Sequence, residues 1–173
     1  MRKLNNNELN RITVEDYKNA KKTPIVIVLD NVRSAHNVGA IFRTSDAFLI
    51  EKIFLCGITP YPPNNEIRKS ALGSTNSVDW AYESDTNKIL NNLKNSGYRI
   101  VGVEQVENST KLSNFEPKKP TALIFGHEVD GISQEVINSC DEFLEIVQYG
   151  TKHSLNISVC AGIVIYKASQ SLK

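Results

Sequence analysis

Residues 24–48, PIVIVLDNVRSAHNVGAIFRTSDAF, contain the pattern that decides the fold: an apolar run, a polar loop and an amphipathic segment. The run 24–29 is short, continuous and rich in β-branched residues, which is typical of a parallel strand covered on both faces. From Asn37 to Phe48 the apolar residues return at helical spacing. The segment therefore predicts a strand, a loop and a helix, the first unit of a layered α/β fold.

The same alternation continues along the chain. Four more strands are predicted, over residues 53–56, 99–103, 121–125 and 143–147. Three more helices are predicted, over residues 86–96, 132–140 and 156–173, with Asp85 and Ser133 as N-caps of the first two. Residues 59–80 and 105–120 fit neither pattern and are predicted to be surface loops, the first with at most a short helix. The expected fold class is α/β with a parallel sheet.

Chain length and composition predict one domain. The 173 residues, of which 40% are hydrophobic, are enough for one sizeable core and too few for two comfortable ones. Residues 1–20 are predicted to be an N-terminal extension with a short helix, because Thr13 and Asp16 fit a capping box. Residues 21–173 are predicted to form the domain itself.

Charge and cysteine content exclude several classes of protein. Lys and Arg number 20 against 19 Asp and Glu, so any surface for a polyanion must be a local patch. Cys56, Cys140 and Cys160 are far apart, which predicts neither a disulfide framework nor a metal site and favours a reducing compartment. No apolar leader and no run of ~20 apolar residues is present, so we expect a soluble, cytoplasmic protein.

Three polar segments lie where a parallel sheet of this kind would bind ligands. They are Asn37-x-Gly39 with Arg43, Gly126-x-Glu128-x-x-Gly131, and Ser154-Leu155-Asn156-x-Ser158. The second has the glycine spacing of a nucleotide P-loop, but Ile132 stands where that loop needs Lys. The absence of G-x-G-x-x-G argues against a dinucleotide-binding fold. The third, taken alone, is better explained as a helix cap than as a ligand site.

Together and in this order, the three segments resemble the motifs of the SpoU/TrmH family of RNA ribose 2′-O-methyltransferases, within the SPOUT superfamily. The resemblance covers nearly all of residues 24–170. It implies a parallel α/β domain whose C-terminal segment forms a deep trefoil knot, S-adenosylmethionine as cofactor, and a homodimer packed through the knotted region. It also implies methyl transfer to a ribose 2′-hydroxyl, in tRNA rather than ribosomal RNA. The alternative is a catalytically retired member that binds RNA or the cofactor.

The resemblance assigns roles to eight residues. Three would contact the cofactor: Gly126, Ile146 and Leu155. Five would serve catalysis: Arg43, Asn37, Glu128, Ser154 and Asn156. Of these, Asn37 would orient Arg43 or the ribose, and Glu128 would fix loops or Arg partners. From the residues themselves, a glycine lets a ligand approach the backbone, and Ile146 and Leu155 offer apolar surface to an adenine.

Arg43 is the residue of this family pattern most closely tied to catalysis. Lowering a guanidinium pKa from above ~12 to near 7 would cost roughly 7 kcal/mol, which disfavours Arg43 as the proton acceptor. We therefore expect it to hold the target phosphate and to stabilise the developing alkoxide.

Many relatives have Pro-Met before the third-motif glycine, where this chain has Gln148-Tyr149. Six cations are candidate RNA phosphate contacts: Arg33, Arg68, Lys69, Lys118, Lys119 and Lys152.

Overall fold

The computed structural model describes residues 1–172, so Lys173, the predicted end of the last helix, lies outside the described residues. Seven parallel strands form a single sheet in the order β3-β2-β1-β6-β4-β7-β5. The strands are β1 (Thr23–Asp30), β2 (Ile50–Cys56), β3 (Trp80–Glu83), β4 (Arg99–Val103), β5 (Thr110–Lys111), β6 (Thr121–Phe125) and β7 (Glu142–Glu145). The helices are α1 (Val14–Asn19), α2 (Ala35–Ala47), α3 (Asn65–Ala71), α4 (Thr86–Asn95), α5 (Gln134–Ile137) and α6 (Ile157–Ser171). The predicted parallel α/β fold is confirmed.

Strand β1 lies inside the sheet and explains why its sequence is continuously apolar. Ile25, Ile27 and Leu29 pack in one core with α2 and α6, while Val26 and Val28 pack in a second core with α4 and α5. Each of these five side chains is at most 2% exposed. Successive side chains of a strand point to opposite faces, so a strand with helices on both faces needs apolar residues at every position.

The ends of the parallel strands define where the polar loops gather. Leu29 of β1 lies opposite Leu55 of β2 and Phe125 of β6, so these strands end at one edge of the sheet. Chain order reverses on crossing from β1 to β6, because β2 and β3 lie on one side and β4 and β7 on the other. A parallel sheet binds ligands at such a switch point.

Two strands were missed by the prediction. Strand β3 begins at the last residue of the predicted loop 59–80 and continues past it, and the two-residue β5 lies within the predicted loop 105–120. Both are at the edges of the sheet, where a strand has one neighbour and its side chains stay partly exposed. Edge strands therefore do not need the apolar run by which the inner strands were recognised.

Several element boundaries also differ from prediction. Helix α2 begins at Ala35, since Ser34 is the N-cap and accepts a hydrogen bond from Asn37 N–H. Helix α5 is shorter than predicted, because Ile132 is buried in the core and Ser133, the predicted cap, has extended backbone. The predicted strand 143–147 ends at residue 145. The short helix in the loop 59–80 exists as α3.

The N-terminal extension is in contact with the sheet. Thr13 caps α1 through a capping box with Asp16, as predicted, and an additional 3-10 turn precedes it at Asn6–Leu9. Tyr17 of α1 is buried, and its hydroxyl donates a hydrogen bond to the carbonyl of Ile50 at 3.1 Å. Within residues 1–172, none of the helices combines the length and apolar character that crossing a bilayer requires.

Candidate active site

A cavity of about 650 Å³ opens at the carboxyl edge of the sheet, between the loops after β4, β6 and β7 and the start of α6. Its volume lies within the range of small-molecule sites. Six of the eight residues that the resemblance assigned line it: Gly126, Glu128, Ile146, Ser154, Leu155 and Asn156. The other two are Asn37, which hydrogen-bonds to its wall, and Arg43, which lies elsewhere.

Glu128 joins the loop after β6 to the loop after β1. Its carboxylate accepts hydrogen bonds from the backbone N–H groups of Arg33 and Ser34, both at 2.9 Å, and from Asn37 Nδ2 at 3.1 Å. Burial acts to raise the pKa of Glu128, but these three donors outweigh it and hold the pKa below its ordinary value. The side chain is thus an ionised bridge between two of the three segments.

Asn156 connects the third segment to the other two. Its Nδ2 donates to Asn37 Oδ1 at 3.1 Å, while its Oδ1 accepts from Ser158 N–H at 2.9 Å as the N-cap of α6. A continuous path of side-chain hydrogen bonds therefore runs from Glu128 through Asn37 to Asn156. Asn156 is both the N-cap of α6 and part of the candidate site, so the helix-cap and ligand-site explanations of this segment are compatible.

The loop after β6 folds back on itself at two glycines. A Cβ on Gly126 would overlap the carbonyl carbon of Gly131 and lie 2.5 Å from its oxygen. Gly131 itself has a φ of +68°, and its backbone exchanges hydrogen bonds with that of His127 at 3.0 and 2.9 Å. The structural requirement for glycine at position 126 therefore comes from the chain's own backbone, and the expected approach of a ligand is not needed to explain it.

Two residues that sequence reasoning missed also shape the cavity. Glu104 follows β4 directly and accepts a hydrogen bond from Ile132 N–H at 3.1 Å. Gln105 donates from Nε2 to the carbonyl oxygen of His153 at 2.9 Å, which connects the β4 loop to the residue just before the third segment. Both are the first polar residues after a predicted strand, and the rule that ligands bind at strand ends could have identified them.

Cys160 on α6 lines the same cavity without being a nucleophile. Burial, and secondarily the charge of Glu104, raise the pKa of its thiol to about 11. A thiol that stays protonated at neutral pH acts as a small apolar side chain.

Arg43 is exposed and lines a second cavity, of about 580 Å³, with His36, Phe48 and Lys69 among its neighbours. Asn37 could meet Arg43 only from the loop, but Asn37 lies in the first turn of α2 and its side chain is bonded to Glu128 and Asn156. The expectation that Asn37 orients Arg43 is therefore not met within one chain.

The predicted RNA-binding cations fall into different surroundings. Lys69 shares the cavity of Arg43, and Arg33 lies in the β1 loop that Glu128 holds. Arg68 lines a third cavity, of about 570 Å³, beside Trp80. Lys152 is exposed in the loop between β7 and α6.

Lys118 and Lys119 lie away from these cavities. They precede the first residue of β6, Thr121, whose hydroxyl donates to the Lys119 carbonyl at 2.8 Å. Because all strands are parallel, the start of β6 is at the opposite edge of the sheet from the 650 Å³ cavity. Across residues 1–172, no group of three or more His, Cys, Asp or Glu side chains is arranged to hold a metal ion.

Comparison with known proteins finds a family that spans most of the chain. The sequence signature of the SpoU rRNA Methylase family matches residues 24–166. A putative TrmH family tRNA/rRNA methyltransferase of Staphylococcus saprophyticus is 29% identical over 154 residues, which are 89% of this chain and 61% of that protein. A tRNA (guanosine(18)-2′-O)-methyltransferase of Aquifex aeolicus is 30% identical over 155 residues, which are 87% of this chain and 71% of that protein.

The fold agrees with solved structures of the same kind. An rRNA methyltransferase from Sinorhizobium meliloti with bound AdoMet superimposes with a TM-score of 0.81 at 26% identity, over 91% of this chain and 60% of that one. The chain thus spans only about 60% of the length of the Staphylococcus and Sinorhizobium proteins.

Proposed function

Because the chain belongs to the SpoU rRNA Methylase family, we propose that it transfers a methyl group from S-adenosylmethionine to a ribose 2′-hydroxyl of RNA. The observation that carries the proposal is the path of hydrogen bonds from Glu128 through Asn37 to Asn156. It joins three segments that are distant in sequence at the wall of one cavity of the size of a small-molecule site.

The 650 Å³ cavity fits the cofactor in size and in chemistry. Ile146 and Leu155 offer apolar surface for an adenine, and the backbone of the loop 126–131 offers amides and carbonyls. S-adenosylmethionine supplies a methyl group already activated on a sulfonium. The remaining task of the protein is to position the ribose and to stabilise the charge that develops on its oxygen.

Arg43 would perform that second task. Its cavity is also lined by Lys69, His36 and Thr44, a combination suited to an RNA phosphate. A guanidinium that holds the phosphate beside the target ribose also stabilises the adjacent alkoxide.

A second copy of the chain would complete the site. On α6, Val159, Ile163 and Tyr166 form an exposed apolar stripe, at 52%, 41% and 56% exposure, although the opposite side of the helix is buried in the core. A helix that is apolar on all sides is ordinarily covered on all sides. Tyr166 contacts Phe48, which borders the Arg43 cavity, whereas Val159 lies near the cofactor cavity at the start of α6. If two copies pack their α6 stripes against each other in antiparallel orientation about a two-fold axis, Arg43 of each copy would lie toward the cofactor cavity of the other.

The finer parts of the proposal follow from the family. We expect the C-terminal segment that carries Ser154, Asn156 and α6 to be threaded as a deep trefoil knot. The RNA is proposed to be tRNA rather than ribosomal RNA, with the Aquifex aeolicus relative as support. An RNA-modifying role would place the protein in the cytoplasm.

The decisive experiment incubates the protein with methyl-labelled S-adenosylmethionine and, separately, unfractionated tRNA or ribosomal RNA. A 2′-O-methyl group blocks cleavage of the following phosphodiester bond, so label in nuclease-resistant dinucleotides is the expected result. Calorimetry with the cofactor identifies the alternative, a retired binding protein, which would bind S-adenosylmethionine but leave every RNA pool unlabelled.

A further inference from the structure

Two tyrosines form an exposed aromatic surface at the same edge of the sheet as the cofactor cavity. The rings of Tyr61, in the loop after β2, and Tyr82, in β3, lie with centroids 4.6 Å apart and planes tilted by 39°. Tyr61 is 47% exposed and Tyr82 is 42% exposed. Ile58, in the same loop, is 64% exposed. We call Ile58, Tyr61 and Tyr82 the aromatic platform.

The platform is fixed to the loop after β1 by hydrogen bonds. The Tyr82 hydroxyl donates to the carbonyl of Gly57 at 3.0 Å, and the N–H of Ile58 donates to Asn31 Oδ1 at 3.1 Å. Gly57 has a φ of +61°, and a Cβ there would overlap Asn31 Oδ1. Asn31 begins the β1 loop whose later residues, Arg33 and Ser34, are held by Glu128. The platform and the cofactor cavity are therefore joined through one loop.

The order of strands arranges these groups along a line. From β6 outward the neighbours are β1, β2 and β3, and they present Glu128, Arg33, Tyr61 and Tyr82 in that sequence. Strands are about 4.8 Å apart, so β2 and β3 lie roughly 10 to 14 Å from β6.

Outward from Glu128, whose carboxylate is bonded to the backbone N–H groups of Arg33 and Ser34, the line carries an exposed cation and exposed aromatic rings, which suit a nucleic acid strand. Arg33 is exposed between the cavity and the platform. The acidic residue next to Tyr82 in sequence, Glu83, forms an ion pair with Lys88 at 2.5 Å, which offsets its charge. A cation followed by exposed aromatic rings is the pattern by which proteins hold single-stranded RNA, where the backbone meets the charge and the bases stack.

We propose that the aromatic platform stacks an unpaired base of the RNA substrate, on the side of the target nucleotide that extends past Arg33. The proposal rests on the proposed function, which supplies the RNA. Stacking on a π-face accepts any base, so the platform would add affinity and position the strand without selecting a sequence. Tyr61 and Tyr82 would be positioning residues, because neither lines the cofactor cavity.

The test compares Tyr61→Leu, which removes the ring, with Tyr61→Phe, which keeps it. Fluorescence anisotropy of a short fluorescein-labelled oligouridylate measures binding, and methyl transfer to unfractionated tRNA gives KM and kcat. Tyr61→Leu is expected to weaken oligouridylate binding and raise KM about 5- to 30-fold, with kcat and S-adenosylmethionine affinity within about twofold of wild type. Tyr61→Phe is expected to match wild type in oligouridylate binding, KM, kcat and S-adenosylmethionine affinity.

Other outcomes separate this proposal from the proposed function. If wild type methylates RNA and Tyr61→Leu keeps its KM, the platform is not a base-binding surface. A loss of cofactor affinity equal to the loss of RNA affinity, or an equal loss in Tyr61→Phe, would also overturn it in favour of a structural role. If Tyr61→Leu unfolds, ultraviolet crosslinking of wild type to 5-iodouridine oligonucleotides decides: a crosslink at Tyr61 or Tyr82 supports stacking, and crosslinks elsewhere alone contradict it. A wild type that binds and crosslinks through the platform but transfers no methyl group refutes only the proposed function.

Discussion

Single residues in this protein connect segments that are far apart in sequence, and Glu128 is the clearest case. Its ionised carboxylate accepts three hydrogen bonds from the β1 loop and the first turn of α2, and these outweigh burial and lower its pKa below the ordinary value of 4.5. A lowered pKa means that the carboxylate stabilises the fold above the ordinary glutamate pKa and loses this contribution as the pH falls through the folded-state pKa. The link between the two loops is therefore an acid-sensitive contact.

Replacing Glu128 by Gln tests that contact. We expect Glu128→Gln to lower the free energy of unfolding by about 1 kcal/mol at pH 7, since the site is partly exposed and an amide keeps one acceptor. The difference from wild type should shrink as the pH is lowered below 4.5, where protonation weakens the contact in wild type too. Urea denaturation over this pH range gives the measurement, with the exposed Glu107→Gln as control. A difference that persists undiminished in acid would contradict the ionised bridge.

Gly126 offers a second test at this scale, with a matched control in the loop between β7 and α6. The methyl of Gly126→Ala would meet the backbone of Gly131 and Ile132, so the loop after β6 must move. We expect S-adenosylmethionine affinity to fall at least about tenfold, which corresponds to the usual cost of overpacking. The methyl of Gly150→Ala meets nothing within 4 Å, so the S-adenosylmethionine affinity of this variant should stay within about twofold of wild type. Equal affinities for the two variants in calorimetry would show that the loop adapts.

Arg43 should separate binding from catalysis. Since it lies outside the cofactor cavity, Arg43→Ala is expected to leave S-adenosylmethionine affinity within about twofold while kcat falls at least about 100-fold. Arg43→Lys keeps the charge but not the bidentate fork, so its kcat should fall in between. Calorimetry and single-turnover methylation provide the two readouts. Parallel losses in both would identify Arg43 as structural.

At the scale of elements, the glycine of the first motif sets the distance between two helices. Gly39 faces α3, where a Cβ would overlap Ser70 Oγ and lie 2.6 Å from the carbonyl oxygen of Ile67. Gly39→Ala is expected to lower the free energy of unfolding by about 1–3 kcal/mol, because the packed helices must separate. In Gly150→Ala, in the loop between β7 and α6, the added methyl meets nothing within 4 Å, so the free energy of unfolding should stay within about 0.5 kcal/mol of wild type. Denaturant midpoints of the two variants would test this, and similar midpoints would refute the close helix contact.

The elements also show what the sequence could and could not predict. The ends of the inner strands β1, β4 and β6 were predicted within about a residue, because a strand buried on both faces needs an unbroken run of apolar residues. Two helix N-caps were also predicted correctly, because Ser133 and Asp85 accept hydrogen bonds at the starts of α5 and α4. The edge strands β3 and β5 had no such signal, since one-sided pairing leaves polar residues free to occupy them.

For the whole molecule, the three motifs could be found in the sequence, but their connection could not. That Glu128, Asn37 and Asn156 share hydrogen bonds depends on the strand order, which places the β1 and β6 loops side by side. The separation of Arg43 from Asn37, in contrast, is indicated by local spacing, because six residues along a helix place two side chains about 240° apart around its axis. Their separation follows from the start of α2 at Ala35, which puts both on one helix with side chains directed to different cavities.

The separation of Arg43 from the cofactor cavity makes the oligomeric state a functional question. If α6 packs against a second copy, burying a charge in its apolar stripe should dissociate the dimer. We expect wild type to be a dimer in multi-angle light scattering and Ile163→Asp to be a folded monomer by the same measurement and by circular dichroism. Leu4→Asp, which changes an apolar side chain that is 53% exposed in the N-terminal extension, should remain dimeric. Because each active site would take Arg43 from the other copy, monomeric Ile163→Asp should lose methyl transfer while still binding S-adenosylmethionine. An active monomer would show instead that one chain, with RNA spanning both of its cavities, is sufficient.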